Sequence, residues 1–201
     1  MARAGRRRGG QAVKVVVTGP FSAGKTTLIR TISEITVLST ERDITDETRS
    51  RKAETTVAMD FGRITIDSDL VLYLFGTPGQ DRFDFMWEIL GEGMLGYILL
   101  IDPTREESIG EAAGILRAFA AMAPVPFVIA LNRTDDVTDE QAASMRQAVG
   151  AADHVPVLPV DATDKPSVKN VLLSLLFEVL DGIERSGTNL TSIRPTAPAK
   201  R

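Results

Sequence analysis

The chain has no cysteine, one histidine and one tryptophan, and aromatic residues make up only 5% of it. Without cysteine there can be no disulfide, no thiolate metal site and no S-acyl or prenyl anchor on these residues. With His154 alone, between Asp153 and Val155, a histidine-based metal cluster is excluded, and the residue reads as part of a loop. No apolar run approaches the roughly 20 residues that span a bilayer. No apolar segment follows the N-terminal charges as it would in a secretory leader. Ala2 removes the glycine that N-myristoylation requires. The expectation is a soluble, cytoplasmic protein, and 201 residues suffice for one domain with a sizeable core.

Basic charge is scarce outside the N-terminus. Residues 1–11 hold Arg3, Arg6, Arg7 and Arg8 and no acid, which leaves 19 basic against 27 acidic side chains in the rest. An acidic body argues against general nucleic-acid binding, where a basic face is expected. The arm, residues 1–11, reads as disordered and solvated, and a weak contact with an anionic membrane at the inner face of the cell, or with an acidic partner, is the sharper reading.

What is present is a pattern. Gly19-Pro20-Phe21-Ser22-Ala23-Gly24-Lys25-Thr26 fits G-x-x-x-x-G-K-[ST], follows the apolar run Val13 to Val17 and precedes Thr27-Leu28-Ile29. Gly19 and Gly24 let the backbone bend until successive N–H groups, from Phe21, Ser22 and Ala23 through Thr27, converge on an anion. A helix starting near Gly24 adds its positive dipole end. Lys25 would reach the β- and γ-phosphates, and the Thr26 hydroxyl would bind Mg²⁺. The pattern implies a nucleoside triphosphate site; an ordinary glycine turn would need neither the strand before it nor the helix after.

Periodicity predicts a helix over 24–32, then an irregular polar connection over 33–54 of the length that is usually functional. An extended segment, Val57 to Ile66, and a second, Leu70 to Phe75, are joined by Asp67-Ser68-Asp69 and predict a hairpin. From Gly76 to Glu92, glycine, charge and the aromatics Phe83, Phe85 and Trp87 suggest an adjustable loop running into an irregular helix. The remainder alternates: strand 97–101, helix 106–122, strand 127–131, helix 139–149, strand 157–160, helix 167–184. Apolar strands separated by helices imply βαβ crossovers and a mostly parallel sheet covered on both faces. Ligands of such sheets sit beyond the carboxyl ends of the strands. Residues 185–201, rich in Ser, Thr and Pro, read as a flexible tail.

The segments after those strand ends resemble the Ras-type small GTPases. Asn132-Arg133-Thr134-Asp135 resembles the N-K-x-D guanine motif with arginine for lysine. A carboxylate at Asp135 only accepts hydrogen bonds, and guanine presents two donors side by side where adenine has no such pair. Asn132 would tie this loop to the phosphate loop, and the Arg133 stem would cover the base. Asp161-Ala162-Thr163 resembles the family's S-A-K segment, in which the alanine N–H meets guanine O6; only Ala162 matches, and a turn capping the last helix is the plainer reading. Thr56 stands where the family keeps its switch threonine, a ligand of Mg²⁺, with Thr55 as rival. In Gly76-Thr77-Pro78-Gly79-Gln80, similar to D-x-x-G-Q, Gly79 would sense the γ-phosphate and Gln80 would orient the attacking water.

Two departures stand out. Gly76 replaces the aspartate that holds Mg²⁺ through a water, so the metal should rest on Thr26, Thr56 and the phosphates, unless a side chain such as Asp60 compensates; Gly76→Asp would otherwise restore the anchor. Phe21 replaces a small residue, and its ring could obstruct an incoming arginine finger. Asp102, ending a strand, reads as structural.

Over residues 12–184 the resemblance implies an α/β G domain: a six-stranded, mostly parallel sheet with one antiparallel edge strand and helices on both faces. T-T-V-A-M-D-F-G with F-G-T-P-G-Q-D-R-F is most similar to the bacterial branch, close to the conservon GTPases and more distantly the MglA polarity GTPases. That branch implies a GTP/GDP switch in signalling or spatial organisation, slow hydrolysis with Lys25 and Gln80 catalytic, and regulation by a roadblock-domain protein. A GTP-binding scaffold with little hydrolysis is the alternative. A phosphotransferase with a lid bearing Arg49 and Arg51 is a third reading, but it leaves Asn132 to Asp135 without a reason.

Overall fold

The structure, a computed structural model, describes residues 11–39, 59–67, 70–78 and 85–186. Residues 1–10 of the N-terminal arm, residues 187–201 of the C-terminal tail, Arg49, Arg51, Thr55, Thr56, Gly79, Gln80 and Phe83 lie outside the described residues, while Gln11 already belongs to the first strand and Arg185 and Ser186 to the last helix.

The described residues form strands β1 (Gln11–Thr18), β2 (Leu38–Ser39), β3 (Asp60–Asp67), β4 (Leu70–Gly76), β5 (Met94–Ile101), β6 (Phe127–Asn132) and β7 (Val157–Val160). Between them run helices α1 (Lys25–Ile32), α2 (Phe85–Gly91), α3 (Glu106–Met122), α4 (Asp139–Val149) and α5 (Lys165–Ser186). One sheet has the order β2-β3-β4-β1-β5-β6-β7. The six expected strands are present; β1, β4, β5, β6 and β7 pair in parallel and β3 runs antiparallel to β4. The two residues of β2 add to the outer edge of β3, antiparallel to it.

Strand alternation makes two cores from this one sheet. Val15 and Val17 of β1, with Ile98, Leu100 and Val128, face α1 and α5 through Leu28, Ile29, Val171 and Leu175. Val16, Leu99, Ile101 and Ile129 face the other way, toward Trp87 of α2, Leu116 and Phe119 of α3 and Met145 of α4. Strands buried on both faces explain why β5 and β6 read as near-continuous apolar runs, and β1 likewise apart from Lys14.

Helix ends follow local chemistry. Thr138 and Gln141 form a reciprocal capping box at the start of α4, and Gly150 closes its end in a left-handed conformation. The last helix starts at Lys165, two residues before the expected position, because Pro166 fits the first turn, where its missing N–H has no partner to lose. It ends at Ser186, two residues past the expected end. Strand β5 begins at Met94, three residues earlier than expected, because Met94 already pairs with Lys14 of β1.

Candidate functional site

The cleft lies at the carboxyl ends of β1, β4, β5 and β6. Its floor is the turn between β1 and α1. Gly24 precedes α1 with φ 103° and carries no side-chain cap, so the start of α1 can turn N–H groups toward an anion. A Cβ at Gly24 would come within 2.4 Å of Asn132 Nδ2, and φ there already disfavours any other residue. Ser22 also has positive φ, 61°, which turns successive amides toward one side of the loop.

Lys25 is buried, and its Nζ donates to the carbonyls of Gly19 (2.7 Å) and Pro20 (2.6 Å). These bonds satisfy the desolvated ammonium and hold it under the loop. A cavity of about 380 Å³ opens here, lined by Phe21, Ser22, Gly24 to Thr27, Asp60, Thr77 and Arg133. A larger hollow, about 560 Å³, is lined by Met94, Phe127, His154 and Ile183 at the opposite end of the strands. It has no phosphate loop and no helix N-terminus, so phosphate chemistry belongs to the smaller one.

The corner at which the resemblance expects Mg²⁺ has a glycine, Gly76, where the aspartate is expected. Gly76 faces Asp60 across the β3–β4 pair. A Cβ on Gly76 would lie 2.9 Å from Ile29 Cδ1 and 3.1 Å from Asp60 Cβ, so an aspartate there would require both neighbours to shift. Asp60 fills the space: it is 9% exposed, and its Oδ2 accepts from the Thr26 hydroxyl at 2.5 Å. Its other oxygen, Oδ1, is buried with no hydrogen-bond partner among the described residues. A buried carboxylate oxygen left unpaired costs free energy unless a cation or its waters meet it. Thr26 donates its one hydroxyl proton to Asp60, which leaves oxygen lone pairs able to face a cation. An oxygen-only donor set of this kind fits a hard divalent ion such as Mg²⁺. Among the described residues no cluster of three acidic, histidine or cysteine side chains exists, so phosphate oxygens and water would complete any shell. Thr77 closes this wall; its hydroxyl donates to Thr18 Oγ1 (2.9 Å) and its N–H to Val17 O (3.0 Å).

At the other end Asn132 knits three loops. Its Nδ2 donates to Ala23 O of the phosphate loop at 2.8 Å, as the motif implies, and its Oδ1 accepts from the N–H groups of Arg133 and Ala162. The Ala162 N–H, expected to meet guanine O6, is therefore donated at 3.1 Å to Asn132 and would have to be shared with a base. Thr31 of α1 donates to Ala162 O at 2.7 Å and fixes that turn from below. Asp135 is exposed, and its carboxylate makes no hydrogen bond or ion pair among the described residues.

Asp161 and Thr163 stand differently from expectation. The Asp161 carboxylate accepts the Thr163 hydroxyl (2.6 Å) and the Thr163 N–H (2.8 Å), bonds that hold its pKa below the usual carboxylate range. The Asp161 N–H goes to Ser167 Oγ. Both residues thus shape the turn into α5, the plainer of the two readings given to this segment.

Arg133, in the left-handed region at φ 62°, does not simply extend over the cleft. Its Nη1 pairs with Asp102 Oδ2 at 2.6 Å, and Asp102 is fully buried at the end of β5. No local pattern signals this pair, because the two residues are 31 positions apart. Phe21 is 53% exposed, and its carbonyl accepts from Arg105 Nη1 at 2.9 Å.

A phosphate loop between β1 and α1, a β3–β4 hairpin beside it and a base loop after β6, on this strand order, define a phosphate-loop nucleotide-binding protein with the Ras-like α/β fold. The chain belongs to the family described as "conserved hypothetical ATP binding protein", which it matches over residues 35–182, beginning after the phosphate loop. It is 32% identical over 123 residues to an uncharacterized protein of Methanocaldococcus jannaschii, spanning 61% of this chain and 71% of that one. It is also similar to ADP-ribosylation factor-like protein 3 of Saccharomyces cerevisiae, 22% identical over 79% of this chain and 81% of the other. Ras-related protein RABE1e of Arabidopsis thaliana is 22% identical over 88% of this chain and 78% of its own length. The likeness is thus to small GTPases of the Arf and Rab kinds. No described helix is long and apolar enough to cross a membrane.

Proposed function

We propose that the protein is a small GTPase that binds GTP and GDP with Mg²⁺, hydrolyses GTP slowly and acts as a molecular switch. The observation that carries the nucleotide assignment is the Asn132 junction: one side chain bonds the phosphate loop and the Ala162 turn at once, and Asp135, three residues on, is exposed with a carboxylate uncommitted among the described residues. Such a carboxylate pairs with the adjacent N1–H and 2-amino donors of guanine and finds no such pair on adenine. The family's description names ATP, so the decisive measurement is direct. Identifying the nucleotide that co-purifies, and titrating GTP against ATP, should give GTP or GDP; a preference for ATP would overturn the guanine assignment.

Lys25 would contribute charge at the β- and γ-phosphates. Mg²⁺ would be held by the Thr26 hydroxyl, with Asp60 as the anionic anchor in place of the missing aspartate at Gly76 and Thr56 from outside the described residues. When bound, the ion neutralises phosphate charge. Gly79 and Gln80, also outside the described residues, would sense the γ-phosphate and orient the water. Gln80→Leu should slow single-turnover hydrolysis and leave GTP affinity nearly unchanged. Equal rates would mean that another group, with Arg49 or Arg51 the first to test, positions the water.

A second reading, a GTP-binding scaffold with little hydrolysis, is favoured by one observation: the exposed Phe21 ring beside the loop, whose backbone is held by Arg105. Single-turnover assays with and without a roadblock-domain protein separate the two. A role in bacterial signalling or spatial organisation, with such a regulator as partner, follows from the motif resemblance to the conservon and MglA branches. Cytoplasmic location, with weak peripheral membrane contact through the arginine arm, belongs to the same proposal.

A further inference from the structure

Asp102 has no role in the reading above, yet it is the most completely buried charge near the cleft. Both of its oxygens are engaged. Oδ2 accepts from Arg133 Nη1 at 2.6 Å, while Oδ1 accepts from the Thr104 hydroxyl at 2.6 Å and the Thr104 N–H at 3.1 Å. The turn that Thr104 makes presents Arg105, whose guanidinium holds the Phe21 carbonyl at 2.9 Å. A continuous chain of bonds therefore runs from the base loop to the phosphate loop: Arg133, Asp102, Thr104, Arg105, Phe21. It lies outside the direct Asn132–Ala23 bond and duplicates its connection.

We infer that Asp102 is a positioning residue that holds the Arg133 side chain over the nucleotide and thereby sets how long the nucleotide stays bound. This rests on the reading that the base lies beside Asn132 and Asp135. Arginine suits the place better than the lysine of the motif. Its planar fork can donate to Asp102 with one nitrogen while its face and stem lie along a ring. The Arg133 side chain is 59% exposed and that of Asp102 1%, so one end of the pair is fixed in the protein and the other faces the cleft. A buried carboxylate with a single cationic partner holds that partner tightly, because separating them would leave the charge unpaired.

The test uses the full chain loaded with fluorescent GDP. Asp102→Asn keeps an oxygen for Thr104 but turns an amide N–H₂ toward Arg133, so only the arginine arm is lost. GDP release should quicken by about tenfold or more, since a hydrogen bond to a charged group is removed. Affinity for inorganic tripolyphosphate, which has no base to cover, should stay within about twofold. Arg133→Gln should match the Asp102→Asn effect, and the double variant should release GDP no faster than Arg133→Gln alone, because the two act as one unit. Wild-type release from Asp102→Asn, additive effects in the double variant, or a parallel loss of tripolyphosphate affinity would each overturn the inference. Should Asp102→Asn fail to fold, wild-type release from Arg133→Gln overturns it equally. A wild-type protein that retains no GDP at all would instead remove the guanine reading on which this one stands, an outcome distinct from the others.

Discussion

The Asn132 loop and the Thr26–Asp60 corner lie at opposite ends of one cleft and were assembled differently. At the end proposed to hold the base, Asn132 bonds Ala23, and Asp135 stands exposed with its carboxylate uncommitted among the described residues. At the metal end, the motif's aspartate is absent and its space is taken by Asp60 from the neighbouring strand, in contact with Thr26. The difference follows from what each end must recognise. A base edge offers donors in one fixed plane, so the acceptor has to come from one backbone position. A hydrated cation needs negative charge at about the right distance, and two strands facing each other can each supply it.

Replacing Lys25 tests what the two ends share. Lys25→Ala removes a buried charge that serves the phosphates whatever the base or metal, a loss of roughly 2–5 kcal/mol or about thirtyfold to several thousandfold in affinity. Titration with labelled GTP measures it, and unchanged affinity would mean that the loop does not cradle phosphates.

The base end alone is addressed by Asp135→Asn. Two guanine donors would lose their acceptor at about 1–3 kcal/mol each, so GTP affinity should fall roughly thirtyfold to twenty-thousandfold while xanthosine triphosphate gains. A variant binding both nucleotides as the wild type does would break the comparison at this end.

At the metal end, Asp60→Asn should raise the magnesium needed for half-maximal nucleotide retention by about 10–100-fold, the usual cost of losing an outer anchor. Base preference should not change. A magnesium titration that superimposes on the wild-type curve would show that Asp60 serves the fold and not the ion.

The smallest effect is expected from Gly76→Asp. Because Ile29 Cδ1 and Asp60 Cβ would lie 2.9 and 3.1 Å from the added Cβ, the substitution should destabilise the protein by about 1–3 kcal/mol, or roughly 2–12 °C in Tm. It should not lower the magnesium requirement, contrary to what the motif alone suggests. In an Asp60→Gly background the same substitution loses its contacts with Asp60 and has only Ile29 Cδ1 to displace, and partial recovery of magnesium affinity there would show that the anchor can sit on either strand.

The distribution of what was legible follows the same division. The phosphate loop, the order of strands and helices and the Asn132 motif are local patterns: glycines at positions needing unusual φ, apolar runs for strands buried on both faces, a carboxylate following the end of β6. The start of α5 was misplaced by two residues because Pro166 reads equally as a breaker and as a first-turn residue. The Asp161–Thr163 segment matched the base motif only at Ala162, and its turn is closed locally, because Asp-x-Thr bonds readily to itself.

The sequence by itself determined that this chain folds as a phosphate-loop α/β protein and where its nucleotide loops fall, because those signals lie within a few residues of one another along the backbone. Only the tertiary structure decided that Asp60 meets Thr26 beside Gly76 and that Asp102 pairs with Arg133. Thr26 and Asp60 are separated by 34 residues and Asp102 and Arg133 by 31. Side chains that far apart meet only after strand pairing has set the register, so no local pattern could carry either contact.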